Sequence, residues 1–432
     1  FLEDFILKTN NEVELKILHK DINEKTELFY HDVINSARKT RKILIQNGIG
    51  DIGNFKGWIN KSKDLLQKKF SSHLYSEGLN AVYKVKKVPA EYSEDAKMVD
   101  GRIILRDNFE KLLEKEDRLI IFGQDSGKIG GVNQGLEGLQ KKYGEIRVSD
   151  SGIREATIIG QGIGMALRGL KPIAEIQYLD YMLYCLQILS DDLATFSYRT
   201  KGRQISPLII RTRGHRLEGI WHSGSPMAGM IHLLRGIHIL VPRNMTQAAG
   251  FYNTLLQANQ PAIIIECLNG YRIKEKMPTN LGEFSIPVGE IEVLKSGIDI
   301  TLISYGSTLR IVQKVAIDLE KYEISAEVID IQTLLPFDIK CEIRQSIIKT
   351  SRLVIIDEDM PGGGSAYILQ QLMDNQNIYQ YLDTQPKLIS AKPHRPAYGE
   401  DGDYFSKPSA DDIFEEVYEI MHETNPSKYP KL

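Results

Sequence analysis

The chain has 432 residues, enough for two or three domains at roughly 100–200 residues per domain. Hydrophobic residues make up 42% and charged residues 26%, which are globular proportions that exclude wholesale disorder. Lys+Arg is 54 and Asp+Glu is 57, so the formal net charge of −3 indicates neither a nucleic acid nor an anionic membrane as a partner.

The cysteines and the lengths of the apolar runs limit the cellular compartments in which we expect the protein. Cys185, Cys267 and Cys341 are odd in number and far apart, which disfavours a disulfide framework and a Cys-rich zinc site. No apolar run approaches the roughly 18–20 residues that a membrane span needs. We therefore expect a soluble, cytoplasmic protein with no membrane partner and no metal ligands of its own.

The first hundred residues are predicted to be helical. Apolar positions recur with a period close to 3.6, for example at Leu15, Leu18 and Ile22. The polar stretch from Val85 to Lys97 contains Pro89 and is typical of a linker. The pattern predicts a helical leader and linker over residues 1–98.

Residues 99–286 change to short β-rich runs separated by helical lengths. The predicted strands are Leu119–Phe122, Pro172–Ile176, Leu208–Arg211, Ile237–Val241 and Ala262–Glu266. The predicted helices are Glu155–Leu170, Tyr181–Arg199, Pro226–Leu234 and Thr246–Gln257, and Arg147–Asp150 is predicted to be a polar loop. Continuous apolar strands that alternate with helices indicate an open parallel sheet with helices on both faces.

Residues 287–432 repeat this pattern as a second, smaller α/β domain. The predicted strands are Ile298–Tyr305, Ala326–Ile329 and Arg352–Ile356. The predicted helices are Leu309–Leu319, Asp338–Lys349, Ser365–Leu372 and a final amphipathic helix, Ala410–His422. The expected fold class is α/β, with two open parallel-sheet domains after a helical leader.

One predicted helix carries both a glycine series and a first-turn acid. Gly160, Gly162 and Gly164 miss the dinucleotide-binding spacing and lie inside the helix, where each glycine costs about 1 kcal/mol relative to alanine. Close packing against another helix is the simplest explanation for them. Glu155, taken alone, is explained by its favourable interaction with the helix dipole.

Two segments follow predicted strands at the end where open α/β sheets bind ligands. Gln177, Tyr178, Asp180 and Tyr181 could form the wall of a planar ligand site, although core packing explains them as well. The loop from Arg211 to Ser225 is rich in His, Arg and Ser, and long loops of this kind tend to be functional.

That loop lacks the signatures of two familiar enzyme classes. It has neither the G-x-S-x-G elbow of a serine hydrolase nor the H-E-x-x-H spacing of a zinc site. His232 and His238 are expected to be structural. The glycine runs Gly123–Gly127, Gly130-Gly131 and Gly362–Gly364 are explained by turn chemistry alone.

Taken together, these segments resemble the β subunit of the decarboxylase component of pyruvate and branched-chain (2-oxoisovalerate) dehydrogenase complexes. The resemblance extends from about Val99 to Glu423. It is carried by GQDSGKIGGV at Gly123–Val132, the long stretch Ser151–Tyr181, HSGS at His222–Ser225, IDIQTLLPFD at Ile329–Asp338 and SIIKTSRLVIIDED at Ser346–Asp359.

In the leader, FLEDFILKTNNEVELKILHKDINEKTELFYHDVINSA at residues 1–37 resembles the C-terminal helices of the family's α subunit. The resemblance implies an α–β fusion, of which this chain is the β half with a remnant of α. In the family, the α subunit holds Mg and the diphosphate of thiamine diphosphate with a Gly-Asp-Gly and a later Asn. Gly50-Asp51-Ile52-Gly53 is not that motif, so diphosphate and Mg are expected on the missing α portion.

The resemblance also implies roles for single residues. Glu155 would hydrogen-bond N1′ of the thiamine aminopyrimidine, Tyr181 would stack on that ring, and Gln177 and Ile153 would line the same pocket. His222 matches the histidine that assists acyl transfer to the lipoyl group. The family usually reads His-x-His-Ser-Gln-Ser here, whereas this chain has Ile220-Trp221-His222-Ser223-Gly224-Ser225, so the upstream His and the Gln are both replaced.

The function implied is oxidative decarboxylation of a 2-oxo acid, pyruvate or branched-chain, followed by reductive acylation of a lipoyl domain. The implied partners are the α portion, a second copy of this region, and the dihydrolipoamide acyltransferase with its lipoyl domain. Two alternatives stay open. One is a non-catalytic platform for dimerisation and docking, and the other is a transferase like transketolase or deoxyxylulose-phosphate synthase.

Overall fold

A computed structural model of the chain describes residues 12–48, 53–214 and 224–432. The chain divides into two compact units, Phe1–Ser72 and His73–Leu432. In the three described stretches, no helix is long and apolar enough to span a membrane.

The first unit is helical, as the 3.6-residue period predicts. Its helices are α1 (Glu12–Asn23), α2 (Tyr30–Gln46) and α3 (Gly53–Ser71). A small core joins α2 and α3, and in it the rings of Phe55 and Trp58 stack at a centroid distance of 6.2 Å. The other core residues are Ala37, Leu44 and Ile59.

The second unit contains both predicted α/β regions. The elements of the first are β1 (Met98–Asp100), α4 (Gly101–Lys115), β2 (Leu119–Gly123), α5 (Leu139–Tyr143), β3 (Val148–Asp150), α6 (Glu155–Leu167), β4 (Lys171–Glu175), α7 (Phe196–Arg199), β5 (Ile209–Gly214), α8 (Met227–Leu233), β6 (His238–Leu240), α9 (Met245–Gln257), β7 (Ala262–Cys267) and β8 (Lys274–Lys276). The elements of the second are β9 (Glu292–Lys295), β10 (Ile300–Ser304), α10 (Leu309–Glu320), β11 (Ala326–Asp330), β12 (Thr333–Leu335), α11 (Glu342–Thr350), β13 (Leu353–Ile356), α12 (Gly364–Gln370), β14 (Lys387–Ile389), α13 (Glu400–Tyr404) and α14 (Ala410–Thr424).

The first sheet has seven strands in the order β12-β6-β7-β5-β4-β2-β3. All neighbours are parallel except the edge strand β12, which runs antiparallel to β6. The strand residues are almost all buried, which explains their continuous apolar sequences. The chain places β3 on one side of β2 and β4 on the other, so a topological switch point lies at the carboxyl ends of β2 and β4.

The second sheet has five strands in the order β14-β13-β10-β11-β9. Here too one edge strand, β9, is antiparallel, and the other pairs are parallel. Both sheets therefore confirm the predicted parallel α/β architecture and add an antiparallel edge strand that was too short to recognise from periodicity. The domain boundaries predicted at residues 98 and 286 stay predictions.

Three contacts join the predicted linker and the two α/β regions within the second unit. Val88, in the predicted linker, exchanges backbone hydrogen bonds with Ser285, so this stretch is fixed to the first α/β region. Strand β12, from the second region, completes the sheet of the first. Arg243, just before α9, binds Glu292 at 2.6 Å and Asp330 at 2.7 Å, which lie on β9 and β11.

Two local predictions are wrong. Residues 148–150 form strand β3 and are not a loop, because they pair with β2 at the edge of the sheet. The continuous helix predicted over Tyr181–Arg199 is broken into a 3₁₀-helix (Leu179–Cys185), a π-helical segment (Ile188–Leu193) and α7. The packing of the α6 glycines against another helix stays a prediction.

The glycines of α6 have different surroundings. A Cβ on Gly162 would lie 2.7 Å from Cδ1 of Leu208, immediately before β5, so the close approach is to the sheet. At Gly160 and Gly164 a Cβ would meet nothing within 4 Å. Only Gly162 is therefore required by packing within the described part of the chain.

Candidate active site

The switch point of the first sheet brings together residues that follow β2 and β4. Gly123 and Glu175 are paired in the ladder at the carboxyl ends of these strands. Asp125 lies two residues beyond Gly123, and Gln177 lies two residues beyond Glu175. The Nε2 of Gln177 donates to Oδ2 of Asp125 at 2.8 Å. Gln177 is buried, and Asp125 has a left-handed backbone with φ 59°. This pair forms the base of the candidate site.

Glu155 lies in the first turn of α6, which begins after β3 at the same edge of the sheet. Its side chain is half-buried, and α6 contacts the 3₁₀-helix Leu179–Cys185, where the charge of Glu155 contributes to the raised pKa values of Tyr181 and Cys185. Burial raises the pKa of the Cys185 thiol to about 12, and the charge of Glu155 acts in the same direction. The thiol is therefore neutral near pH 7.

Aromatic rings line the site beside Glu155. Tyr178 and Tyr181 meet edge to face at 5.6 Å between centroids, and Tyr184 lies 6.2 Å from Tyr181. The 3₁₀-helix Leu179–Cys185 places residues three apart on one side, which is why these tyrosines cluster. Burial raises the pKa of the Tyr181 hydroxyl, and the nearby Tyr178 and Glu155 contribute further.

The glycine-rich loop after β2 is held by the neighbouring strand. The carboxylate of Asp150, at the end of β3, accepts from the backbone N–H of Gly127 at 2.7 Å and of Lys128 at 2.9 Å. Gly130 and Gly131 have φ of 78° and 79°, so the predicted turn role of these glycines is confirmed.

Below this loop lies a group of charged residues that the sequence analysis did not identify as a unit. We call Glu175, Arg211, Arg213, Tyr252, Glu266 and Tyr271 the buried ionic cluster; each is at most 2% exposed. Arg211 binds Glu175 at 2.5 Å and Glu266 at 2.8 Å, and Arg213 binds Glu175 at 2.8 Å. The sequence feature that could have revealed this cluster is the pair of arginines two positions apart, Arg211 and Arg213, in a buried strand.

The charges of the buried ionic cluster support one another. Burial opposes the charged form of Arg211, yet Glu266 and Glu175 hold its pKa above the usual value. Burial alone would raise the pKa of Glu266, but Arg211 holds it below its usual range. Arg211 and Glu266 therefore keep their charges without contact with water, because each faces a group of opposite charge.

The second α/β region also reaches this side of the first. Nη1 of Arg395 lies 3.2 Å from Oδ2 of Asp180, three residues beyond Gln177. The buried carboxyl of Asp359 accepts a backbone hydrogen bond from Ala228 in α8. Burial, with the charge of Asp357, raises the pKa of Asp359 to about 7.

The predicted site residues divide into three groups. Glu155, Gln177 and Tyr181 lie at one edge of the first sheet, and their common pocket stays a prediction. Ile153, two residues before α6, is 76% exposed. His222 lies outside the described residues. Asp125, Arg213 and Asp150 were not predicted, because their role depends on contacts between strands distant in sequence.

In the described ranges, no group of three or more His, Cys, Asp or Glu residues has an arrangement that could hold a metal ion. His232 and His238 lie on α8 and β6, the helix and strand predicted for them. The ring of His238 is buried and stacks on that of Tyr75 at a centroid distance of 4.9 Å.

Two family models match the chain. Residues 97–273 match the pyrimidine binding domain of transketolase, and residues 289–407 match the transketolase C-terminal domain. A solved structure of a split-gene transketolase, described as an inactive β4 tetramer, superposes with a TM-score of 0.59. It covers 75% of this chain and 98% of that chain at 18% identity, which supports the fold alone.

Comparison with curated relatives identifies the family more narrowly. The chain is 31% identical to the pyruvate dehydrogenase E1 component subunit beta of Acholeplasma laidlawii over 279 residues, which is 64% of this chain and 84% of the relative. It is 30% identical to the 2-oxoisovalerate dehydrogenase subunit beta of Bacillus subtilis over 287 residues, or 66% and 86% of the two chains. This chain therefore belongs to the family of E1 β subunits of pyruvate and 2-oxoisovalerate dehydrogenases, built from the transketolase pyrimidine-binding and C-terminal domains.

Proposed function

We propose that this chain is the β portion of a 2-oxo acid dehydrogenase decarboxylase component. It acts in oxidative decarboxylation of pyruvate or a branched-chain 2-oxo acid and in reductive acylation of a lipoyl domain. The observation that carries the proposal is the position of Glu155. Glu155, whose side chain is half-buried, begins the helix that contacts the 3₁₀-helix of Tyr181, and its charge contributes to the raised pKa of Tyr181. Gln177 and Asp125 meet at the same edge of the sheet.

The residues at this edge fit the aminopyrimidine end of thiamine diphosphate. The carboxylate of Glu155 can share a proton with a ring nitrogen, and the ring of Tyr181 offers a flat apolar surface. The exposed side chain of Ile153 can cover the opposite side. When bound, thiamine diphosphate supplies the electron sink that decarboxylation of a 2-oxo acid requires.

The chain's own residues bind, orient and transfer protons. Glu155 holds a proton at the pyrimidine nitrogen, and the Asp125–Gln177 hydrogen bond keeps the base of the pocket in place. His222 delivers a proton to the sulfur of the lipoyl group. An imidazole suits this transfer, because its unperturbed pKa lies near physiological pH.

The site also offers surface to partner chains. Next to Glu155 and Tyr181 the apolar side chains of Ile153, Leu183 and Tyr184 are 76%, 55% and 71% exposed. We propose that an α portion, which carries the Mg and diphosphate site, and a second copy of this chain cover this edge. The leader, residues 1–98, belongs to that α portion in an α–β fusion, and residues 99–286 and 287–432 are the two α/β domains. The second domain helps to bind the dihydrolipoamide acyltransferase.

Replacing Glu155 tests the proposal. In the protein with its α portion, Glu155→Gln should keep the fold and lower kcat for decarboxylation by roughly 100-fold or more, because an amide cannot share the proton in the same way. Exchange of the C2 proton of thiamine diphosphate, followed by NMR, is the direct measurement. Glu145→Gln, at an exposed position outside the site, is the control.

A purely structural role for Glu155 makes a different prediction. If Glu155 only complements the helix dipole, the substitution lowers the free energy of unfolding by about 0.3–1 kcal/mol and leaves proton exchange at the rate of the unsubstituted protein. That result would remove Glu155 from the catalytic site and the main support for the function.

A further inference from the structure

One arginine of the buried ionic cluster also contacts the base of the candidate site. From the penultimate position of β5, Arg213 donates from Nη1 to the backbone carbonyl of Gln177 at 3.1 Å. Its Nη2 lies 2.8 Å from Oε1 of Glu175, and its Nε donates to the hydroxyl of Tyr271 at 3.2 Å. One guanidinium therefore connects the cluster to Gln177.

The Gln177 carbonyl lies just beyond the end of β4. The last ladder contact there is from the N–H of Ile176 to the carbonyl of Arg211, at 2.9 Å. One residue further, the guanidinium of Arg213 takes the place of a strand partner. A buried carbonyl needs such a donor, and a charged donor binds it more strongly than a neutral one.

The contact extends to the glycine-rich loop. The side chain of Gln177 binds Asp125, whose carbonyl accepts from the N–H of Gly131 at 2.7 Å. A Cβ on Gly131 would lie 3.4 Å from Oε1 of Glu175 and 3.7 Å from Nη2 of Arg213. The loop thus lies directly on the Arg213–Glu175 pair, and its position depends on that pair.

Arg211 differs from Arg213 in its hydrogen-bond partners. It lies two residues earlier on the same strand and is equally buried, but its side-chain hydrogen bonds in the described structure go to Glu175 and Glu266. We propose that Arg213 is a positioning residue of the cofactor site, which holds Gln177 and, through it, Asp125, whereas Arg211 only stabilises the cluster. This role rests on the proposed function.

Lysine substitutions separate the two roles. Lysine keeps the positive charge but cannot bind Glu175, Tyr271 and the Gln177 carbonyl at once, because it lacks the planar fork. Arg213→Lys and Arg211→Lys, made in the protein with its α portion, should both lower the melting temperature. Arg213→Lys alone should weaken binding of thiamine diphosphate with Mg²⁺ about tenfold, the change that corresponds to one lost charge-assisted hydrogen bond.

Calorimetric titration gives the affinity, and thermal unfolding gives the stability. The Arg213→Lys, Gln177→Ala double variant should bind no more weakly than the weaker single variant if Arg213 acts through Gln177. Equal affinities in Arg213→Lys and Arg211→Lys would overturn the positioning role. Absence of thiamine diphosphate binding in the unsubstituted protein would instead overturn the proposed function, and this role with it.

A second pair of variants applies if Arg213→Lys does not fold. Tyr252 and Tyr271 both donate to Glu266, but only Tyr271 also accepts from Arg213. Tyr271→Phe should lower the cofactor affinity roughly two- to fivefold, the effect of one weaker hydrogen bond, and Tyr252→Phe should leave it unchanged. Identical affinities in the two variants would also contradict the proposal.

Discussion

At the scale of single residues, burial without a partner of opposite charge favours the neutral form of a side chain. Cys185 and His238 are both enclosed, and burial shifts the pKa of each toward the neutral form, upward for the thiol and downward for the imidazole. Glu155 and Tyr181 are half-buried at the sheet edge, where a ligand can reach them. This contrast distinguishes the candidate site from the polar groups of the core.

His238 should make stability depend on pH. Burial lowers its pKa from 6.5 to about 4, so the unfolded chain binds this proton in a range where the folded chain does not. The free energy of unfolding is highest above pH 6.5 and falls as the pH decreases toward 4, by about 2 kcal/mol between pH 7 and pH 5.

Denaturant unfolding at the two pH values measures this effect. His238→Phe keeps a ring against Tyr75 but has no titrating group, so its loss of stability between pH 7 and pH 5 should be smaller by that amount. Parallel pH profiles of the two proteins would show that His238 is not responsible.

His222 should separate the two half-reactions. In the proposed function, decarboxylation depends on Glu155, whereas acyl transfer needs a proton at the departing sulfur. His222→Ala should therefore reduce lipoyl acylation by roughly 10²–10⁴-fold and decarboxylation, assayed with an artificial electron acceptor, much less. His232→Ala, at an exposed position in α8, is the control. Equal losses in both half-reactions would indicate a role in positioning the cofactor.

At the scale of elements, helix α6 combines packing against the sheet with a surface of small residues. Its buried side contains Ile158, Ile159, Gly162 and Ala166, so the sheet determines that face. The periodicity was sufficient to predict the helix. It could not distinguish the glycines, because only the neighbouring strand determines which of them has no room for a side chain.

Alanine substitution should have opposite effects on the free energy of unfolding at Gly162 and Gly164 of α6. Gly162→Ala places a methyl group 2.7 Å from Leu208 and should lower the free energy of unfolding by about 1–3 kcal/mol. Gly164→Ala meets nothing within 4 Å and should raise it by up to about 1 kcal/mol, because alanine favours the helix. Denaturant unfolding of this chain compares them directly. Similar destabilisation by both would show that another surface covers Gly164 in solution.

The segment after Tyr181 shows the limit of periodicity at this scale. Its apolar positions fit a continuous helix, yet the structure alternates 3₁₀, π and α turns. Buried Leu179, Met182, Cys185, Leu189 and Leu193 pack into the main core, and the turns adjust to keep them there. Tertiary packing overrode the local preference for an α-helix.

At the scale of the whole molecule, the two α/β regions share structure. Strand β12 adds to the sheet of the first region, and one apolar core includes Ile239 and Ile263 together with Ile303 and Ile329 of the second. Arg243 binds Glu292 and the fully buried Asp330 across this boundary. We therefore expect residues 73–432 to unfold cooperatively.

Arg243→Ala tests this cooperation. Burial raises the pKa of Asp330, and without Arg243 its carboxylate loses its counterion, so stability should fall by roughly 3 kcal/mol. Hydrogen exchange should become faster in β7 and β10 alike. Lys340→Ala, which breaks an exposed pair with Glu290, should change stability by less than about 1 kcal/mol. Faster exchange in only one sheet would mean that the regions unfold separately.

From the sequence alone we could predict the helical leader, the alternation of strands and helices, and the segments that contain Glu155, Gln177 and Tyr181. These follow from patterns within 5–20 residues of chain, where period and burial are directly related. The folded chain was needed to recognise the strand order, the antiparallel edges β9 and β12, and the contact of Arg213 with Gln177. Those features join residues far apart in sequence, and short edge strands and buried charges have no period of their own, so their energy exists only once the sheets have formed.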